Sequence, residues 1–150
     1  MQLLKILDES VIKIPLESDS KEEAIEEMVE ILIRSGKITD RDSALEAIHQ
    51  RESHQSTGIG KGLAVPHGKD PKTTQLVGAV GISHEGIEYD SIDGQPVQAI
   101  ILLIAQPDHP GPHVAALAEI AQIFSKPAMR QAFCNAKDAA TVMEIIRSVE

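Results

Sequence analysis

The sequence has no tryptophan, one tyrosine, two phenylalanines and a single cysteine, Cys134. One thiol cannot close an intramolecular disulfide, so a reducing compartment suits the chain. Cys134 itself reads as a small helix hydrophobe rather than a nucleophile. With aromatics at 2% of a chain that is 42% hydrophobic, the core must be built from Ile, Leu, Val and Ala. Positive charge is scarce too: Lys+Arg number 14 against 23 Asp+Glu, a net charge of −9. The basic face that a phosphate backbone selects is missing, which argues against nucleic acid as a partner. No apolar run approaches the length of a membrane span, so no membrane insertion is expected. The opening MQLLKILDES has neither the long apolar core nor the small-residue cleavage site of a signal peptide. The expectation is one cytoplasmic domain over residues 1–150.

What the chain does have is a distinctive stretch from Thr57 to Lys69, TGIGKGLAVPHGK. It joins a glycine-rich loop (Gly58, Gly60, Gly62), a short apolar run (Leu63, Ala64, Val65) and Pro66-His67-Gly68. Glycines allow a partner close to the main chain, and the apolar run suits a short buried strand. His67 would sit where that strand ends, with a φ-locked proline before it and a permissive glycine after it. That is a setting for a reactive imidazole. A nucleotide P-loop is excluded, because Gly68-Lys69 is followed by Asp70 and Leu63 stands where the first glycine should be.

The surrounding pattern mixes helices and strands. Val11 to Leu16 reads as a strand that Pro15 either puts at an edge or ends. Ser20-Lys21-Glu22-Glu23 fits a capping box for a helix reaching about Arg34, with Ala24, Ile25, Met28, Val29 and Leu32 inward. Its acidic run from Glu22 to Glu30 reads as a solvated face, and Gly36 stops the helix. A second helix from Thr39 or Asp40 ends near Arg51 or Ser53 and delivers Arg51 close to the central stretch. Gln75 to Ser83 reads as a strand and Gly86 as a turn. Pro96 to Ala105 is the most hydrophobic run, a central strand buried on both faces. Pro112 reads as the first residue of a helix that carries His113 in its first turn. The inward face of that helix is expected to be Val114, Leu117, Ala118, Ile120, Ala121 and Phe124. Two short helices follow, from Pro127 and after Asp138. The fold class predicted is a single-domain α/β sandwich with a mixed sheet of about four or five strands flanked by helices.

The run from Arg51-Glu52 through Ser56-Thr57-Gly58-Ile59-Gly60 to Ala64-Val65-Pro66-His67-Gly68 resembles the fructose/mannitol-type enzyme IIA domains of the bacterial phosphoenolpyruvate-dependent phosphotransferase system. Its Ser-Thr-Gly-Ile-Gly spelling looks closest to the nitrogen-regulatory IIA proteins of that group. The similarity covers nearly the whole chain. It departs where Val114 and Ala116 replace the larger leucines usual after the second histidine, and in the Pro-rich lead-in to His113. The resemblance implies that His67 takes a phosphoryl group from an HPr-type phosphocarrier protein and passes it to a IIB domain or a regulatory target protein. It also implies that Arg51 and His113 lie around the phosphohistidine.

Phosphoryl transfer asks a protein mainly for positioning and charge stabilisation. His67 must be neutral, Arg51 can clamp phosphoryl oxygens, and His113 adds a ring N–H and a helix N-terminus. Ser56, Thr57 and Gly68 are candidate phosphate-binding positions, Ser56 and Thr57 reading nearly as well as turn residues. No cofactor is expected. Imidazoles are common zinc ligands, which keeps a His67/His109/His113 metal site open, but no cysteine or carboxylate pattern accompanies it. His49, His54 and His84 read as surface residues. Two other functions compete with the relay: a regulatory binding protein of IIA fold that needs no phosphotransfer, and a domain that keeps the fold without phosphorylation.

Overall fold

The computed structural model describes residues 1–149. Among them, six strands form one mixed sheet and six α-helices flank it. The chain opens with α1 (Gln2–Ile6) and the two-residue β1 (Ile12–Lys13), then runs through α2 (Lys21–Arg34) and α3 (Arg41–Glu52). Next come β2 (Gly58–Gly60), β3 (Leu63–Ala64), β4 (His67–Lys69), β5 (Val77–Ile87) and β6 (Val97–Ala105). The chain closes with α4 (Pro110–Phe124), α5 (Pro127–Cys134) and α6 (Ala139–Ser148). Among the described residues the longest helix has 15 residues, and no helix is long and apolar enough to cross a membrane.

The sheet order is β1-β5-β6-β3-β2, with β4 also on β6. β6 is the spine: β5 pairs with it antiparallel, β3 and β4 parallel. Leu63 pairs with Ala99 and His67 with Leu103, the same offset, so β3 and β4 occupy a single lane interrupted at Val65-Pro66. Six strands therefore fill five lanes. Every β6 residue except Gln98 is buried, as a strand covered on both faces requires.

Register decides which helix lies where. A Cβ on Gly81 would meet Leu16 and Met28 of the α2 side, and one on Gly68 would meet Ala47 of α3. A Cβ on Gly78, which pairs with Leu103 as His67 does, would instead meet Ile6 of α1. Alternation along the strands thus sets α2 and α3 on one face and α1 on the other, the face His67 points to.

Helices α2, α3 and α6 begin where the sequence places them. Ser20, Asp40 and Asp138 each accept an amide N–H three residues on. In α2 the buried residues are Ala24, Ile25, Met28, Val29 and Leu32.

Several expectations are corrected. Only Ile12–Lys13 of the predicted Val11–Leu16 strand pairs as a strand, because Glu9–Val11 coils into a 3₁₀ turn capped by Asp8 and Pro15 lacks a donor. Gly86 does not turn the chain. It lies inside β5 at φ +88°, where the pairing with β6 shifts between Ile82 and Ile87. The acidic face of α2 is not wholly solvated: Glu27 pairs with Lys13 at 2.7 Å and accepts from the amides of Glu17 and Ser18. Helix α4 starts at Pro110, two residues before Pro112. Its buried face is His113, Ala116, Ile120, Ile123 and Phe124, leaving Val114, Ala118 and Ala121 exposed.

Candidate active site

His67 opens β4 instead of closing the strand before it. Its backbone is held by the parallel pairing to Leu103, and Leu103 N–H also donates to the Pro66 carbonyl at 3.0 Å. The ring Nδ1 lies 2.7 Å from the carbonyl oxygen of Val65. A carbonyl can only accept, so Nδ1 carries the proton and the lone pair of the neutral ring is on Nε2. Burial pushes the imidazole below its ordinary pKa of 6.5, and the nearby Arg51 cation adds to the drop. The Val65 carbonyl and the Glu52 carboxylate oppose it. His67 is therefore neutral at neutral pH.

The structure brings Arg51, His67 and His113 to one cavity of about 300 Å³, lined also by Gln50, His54 and Lys69. Arg51 arrives from the last turn of α3 and His113 from the fourth position of α4. The rings of His67 and His113 sit edge to face with centroids 5.2 Å apart. His113 is buried, and its Nε2 has no hydrogen-bond partner among the described residues. Burial, then the neighbouring His67 and Lys69, push its pKa below 6.5 as well. Pro110 and Pro112 remove two of the amide donors at the start of α4, so Gly111 is left to present an N–H there.

Gly68 lines the same cavity and owes its identity to packing. A Cβ there would fall 2.7 Å from the backbone carbon and oxygen of Ala47, so only glycine lets α3 come this close to β4. Thr57 is buried, with its amide on the Glu52 carboxylate and its hydroxyl between Glu52 and Tyr89. The Ser56 hydroxyl accepts from Gly58 N–H and reaches the Tyr89 carbonyl. Both hydroxyls are thus engaged within the loop. The Gly60-Lys61-Gly62 turn, all three at positive φ, lies at the far end of β3, where Gly62 accepts from Gln98 and Ala99 of β6. That is five strand residues from His67, about 16 Å.

His109 lines a different cavity with Lys5 and Lys37, so it does not join His67 and His113. Among the described residues no group of three or more His, Cys, Asp or Glu side chains is placed to hold a metal ion. His54, read as a surface residue, is exposed and also lines this cavity; sequence reasoning passed over Lys69 and, above all, Glu52. The nearest signal for Glu52 was its place beside Arg51; its partner Tyr89 lies 37 residues away and no local pattern joins them.

A second cavity of about 250 Å³ adjoins the first, with His67 and Arg51 on its wall beside Ile59, Ile92, Leu117 and Ala121. Ile59, Ile92 and Val114 are 51%, 67% and 62% exposed, the large hydrophobics of this protein most open to water.

Known proteins share this sequence pattern and fold. The fructose-specific EIIABC component of Bacillus subtilis is 35% identical over 97% of this chain, which spans 23% of that longer protein. The crystal structure of nitrogen regulatory protein IIA-Ntr from Neisseria meningitidis superposes with a TM-score of 0.87 at 31% identity, covering 95% of this chain and 97% of that one. Enzyme IIA mannitol of Escherichia coli, solved in complex with phosphorylated enzyme IIB mannitol, shares the fold at a TM-score of 0.81 and 18% identity, with 95% and 97% covered. Residues 5–149 match the family described as phosphoenolpyruvate-dependent sugar phosphotransferase system, EIIA 2, and the chain belongs to that family.

Proposed function

We propose that this chain acts as a single IIA unit, cytoplasmic, in which His67 accepts a phosphoryl group from an HPr-type phosphocarrier protein. The group then passes to a IIB domain or serves as a signal to a regulatory target. In the accepting step the Nε2 lone pair attacks phosphorus as the bond to the carrier's nitrogen breaks. The Nδ1–H remains on the Val65 carbonyl, and that hydrogen bond strengthens as the ring becomes cationic. Arg51 and His113 flank the transferring group and offset its negative charge. The Ser56, Thr57 and Gly68 positions contribute by holding the cavity wall and the close α3–β4 contact.

One observation carries this reading: the buried Nε2 of His113 lacks a partner while its ring sits 5.2 Å from that of His67. An unpaired buried polar group costs roughly 1–3 kcal/mol. In the tautomer that carries the proton on Nε2, a phosphoryl group on His67 would supply the acceptor this atom lacks. The neighbouring apolar cavity, open at Ile59 and Ile92, is where a carrier protein would seat. Likeness to a nitrogen regulatory protein supports a regulatory destination, and likeness to sugar-specific components supports a IIB domain.

The test is the intact mass of the protein after incubation with phosphoenolpyruvate, enzyme I and HPr. One added phosphoryl group, acid-labile and absent from His67→Ala, is expected. Mass added equally to His67→Ala would place the chemistry elsewhere.

A further inference from the structure

The last two residues of α3 close the same loop from opposite sides. Arg51 donates from Nη1 to the carbonyl of Gln55 at 2.8 Å. Glu52 turns the other way, and its side chain is only 7% exposed. Its carboxylate accepts from the Thr57 amide at 3.0 Å, from the Thr57 hydroxyl, and from the Tyr89 hydroxyl at 3.0 Å. Lys21 Nζ lies 3.2 Å from the same carboxylate and 4.9 Å from the centroid of the Tyr89 ring. A carboxylate has about four lone-pair sites, and here each has a donor.

An acceptor carboxylate does nothing for the free carbonyls at the end of a helix, so these bonds do not serve α3 itself. The donors also come from three separate parts of the chain: the start of α2, the loop after α3 and the segment after β5. Their common effect is to fix residues 53–57 against the sheet, with the loop's inner side on Glu52 and its outer side under Arg51. A guanidinium that spends one of its five N–H groups on a carbonyl is steered by that carbonyl. Where the Gln55 carbonyl sits therefore decides how the remaining donors of Arg51 meet the cavity shared with His67. The Lys21 ammonium balances the carboxylate, which would otherwise repel an incoming phosphoryl group.

We propose that Glu52 is a positioning residue for phosphoryl transfer: by tying Thr57 and Tyr89 to the end of α3, it holds the Gln55 carbonyl where it orients Arg51 toward His67. This rests on the carrier reading above. Glu52 contacts neither the phosphoryl group nor His67; beyond the field of its charge, the smallest of the influences on the His67 pKa, it acts through Arg51.

A double-mutant cycle tests it, using the full chain and phosphorylated HPr as donor. Glu52→Ala is expected to lower kcat by about 10- to 100-fold while KM for the carrier stays within about twofold, since misplacing a positioning group costs on that scale. Glu52→Gln keeps an acceptor and should recover part of the loss. In an Arg51→Ala background, Glu52→Ala should cost less than about twofold more. Glu52→Ala at the wild-type rate, or slowing Arg51→Ala by the same factor as wild type, would overturn the proposal. If Glu52→Ala does not fold, Tyr89→Phe removes one donor and is expected to give a several-fold loss of the same kind, again absent without Arg51. The ¹⁵N resonance of the Arg51 guanidinium gives a readout free of any donor. It should report a restrained group in wild type and a freely averaging one in Glu52→Ala; no change there sinks the proposal. A wild-type protein that accepts no phosphoryl group would overturn the carrier reading by itself.

Discussion

His67 donates from Nδ1 to the carbonyl of Val65, two residues earlier in the chain, at 2.7 Å. The break between β3 and β4, so close in sequence, thus sets the tautomer of the ring. The phosphoryl group is expected on Nε2, and ¹⁵N–³¹P coupling in the phosphorylated protein reads this directly. Coupling to Nδ1 would mean that the Val65 bond breaks before transfer.

His113 is expected to matter more for rate than for fold. Removing one preorganised donor from a developing charge costs about 10²–10³ in rate. His113→Ala should slow phosphoryl acceptance on that scale while circular dichroism stays native. A normal rate would remove His113 from the site.

Acid should weaken the protein through the same two rings. Burial holds both His67 and His113 below 6.5 in the folded state, so the unfolded chain binds more protons between 6.5 and the folded values. Their contribution to stability is complete above about pH 6.5 and is lost as pH falls below it through the folded pKa values. Melting temperature is expected to fall on acidification below that point. The fall should be smaller in a His67→Gln, His113→Gln protein. An identical pH profile in that variant would assign the acid sensitivity to other groups.

Gly68→Ala should lower stability by about 1–3 kcal/mol, the usual cost of overpacking. The added Cβ meets the backbone of Ala47 at 2.7 Å, which no rotamer can relieve. Because Ala47 and Arg51 share α3, phosphoryl acceptance should drop as well. Ala47→Gly shortens only the side chain and is expected to rescue neither loss. Denaturant melts and transfer rates together check this.

The exposed hydrophobics beside the site should act on encounter with the carrier. Ile59→Asp and Val114→Asp are expected to raise KM for phosphorylated HPr about tenfold or more, leaving kcat within about twofold. Unchanged KM in both would move the docking surface elsewhere.

Much of this arrangement was legible beforehand because its signals are local. The capping residues Ser20, Asp40 and Asp138, the inward face of α2 and the continuous apolar run of β6 all follow from patterns within one turn or one strand. The meeting of Arg51, His67 and His113 was legible through resemblance rather than spacing. Helix α4 misled because small apolar residues surround it, so no period singles out the buried stripe. Glu27 looked solvated until the fold brought Lys13 against it from β1. Gly86 carries the mark of a turn, yet β5 absorbs it as an irregularity because β6 continues alongside. Glu52 was hidden for a related reason: its meaning lies in Lys21 and Tyr89, which are distant along the chain and adjacent in space.

The short strand that holds His67 is hydrogen-bonded as a strand to β6 alone. An unpaired strand edge invites a foreign chain to add itself, and many-copy addition of that kind is how ordered aggregates grow. On the carrier reading proposed above, His67 has to meet other proteins and cannot be walled off from them. Here the edge is made a poor template instead. It is three residues long, follows a proline that has no N–H to offer, and ends on the exposed charge of Lys69. Visitors to this site can touch a side chain without finding a backbone to copy.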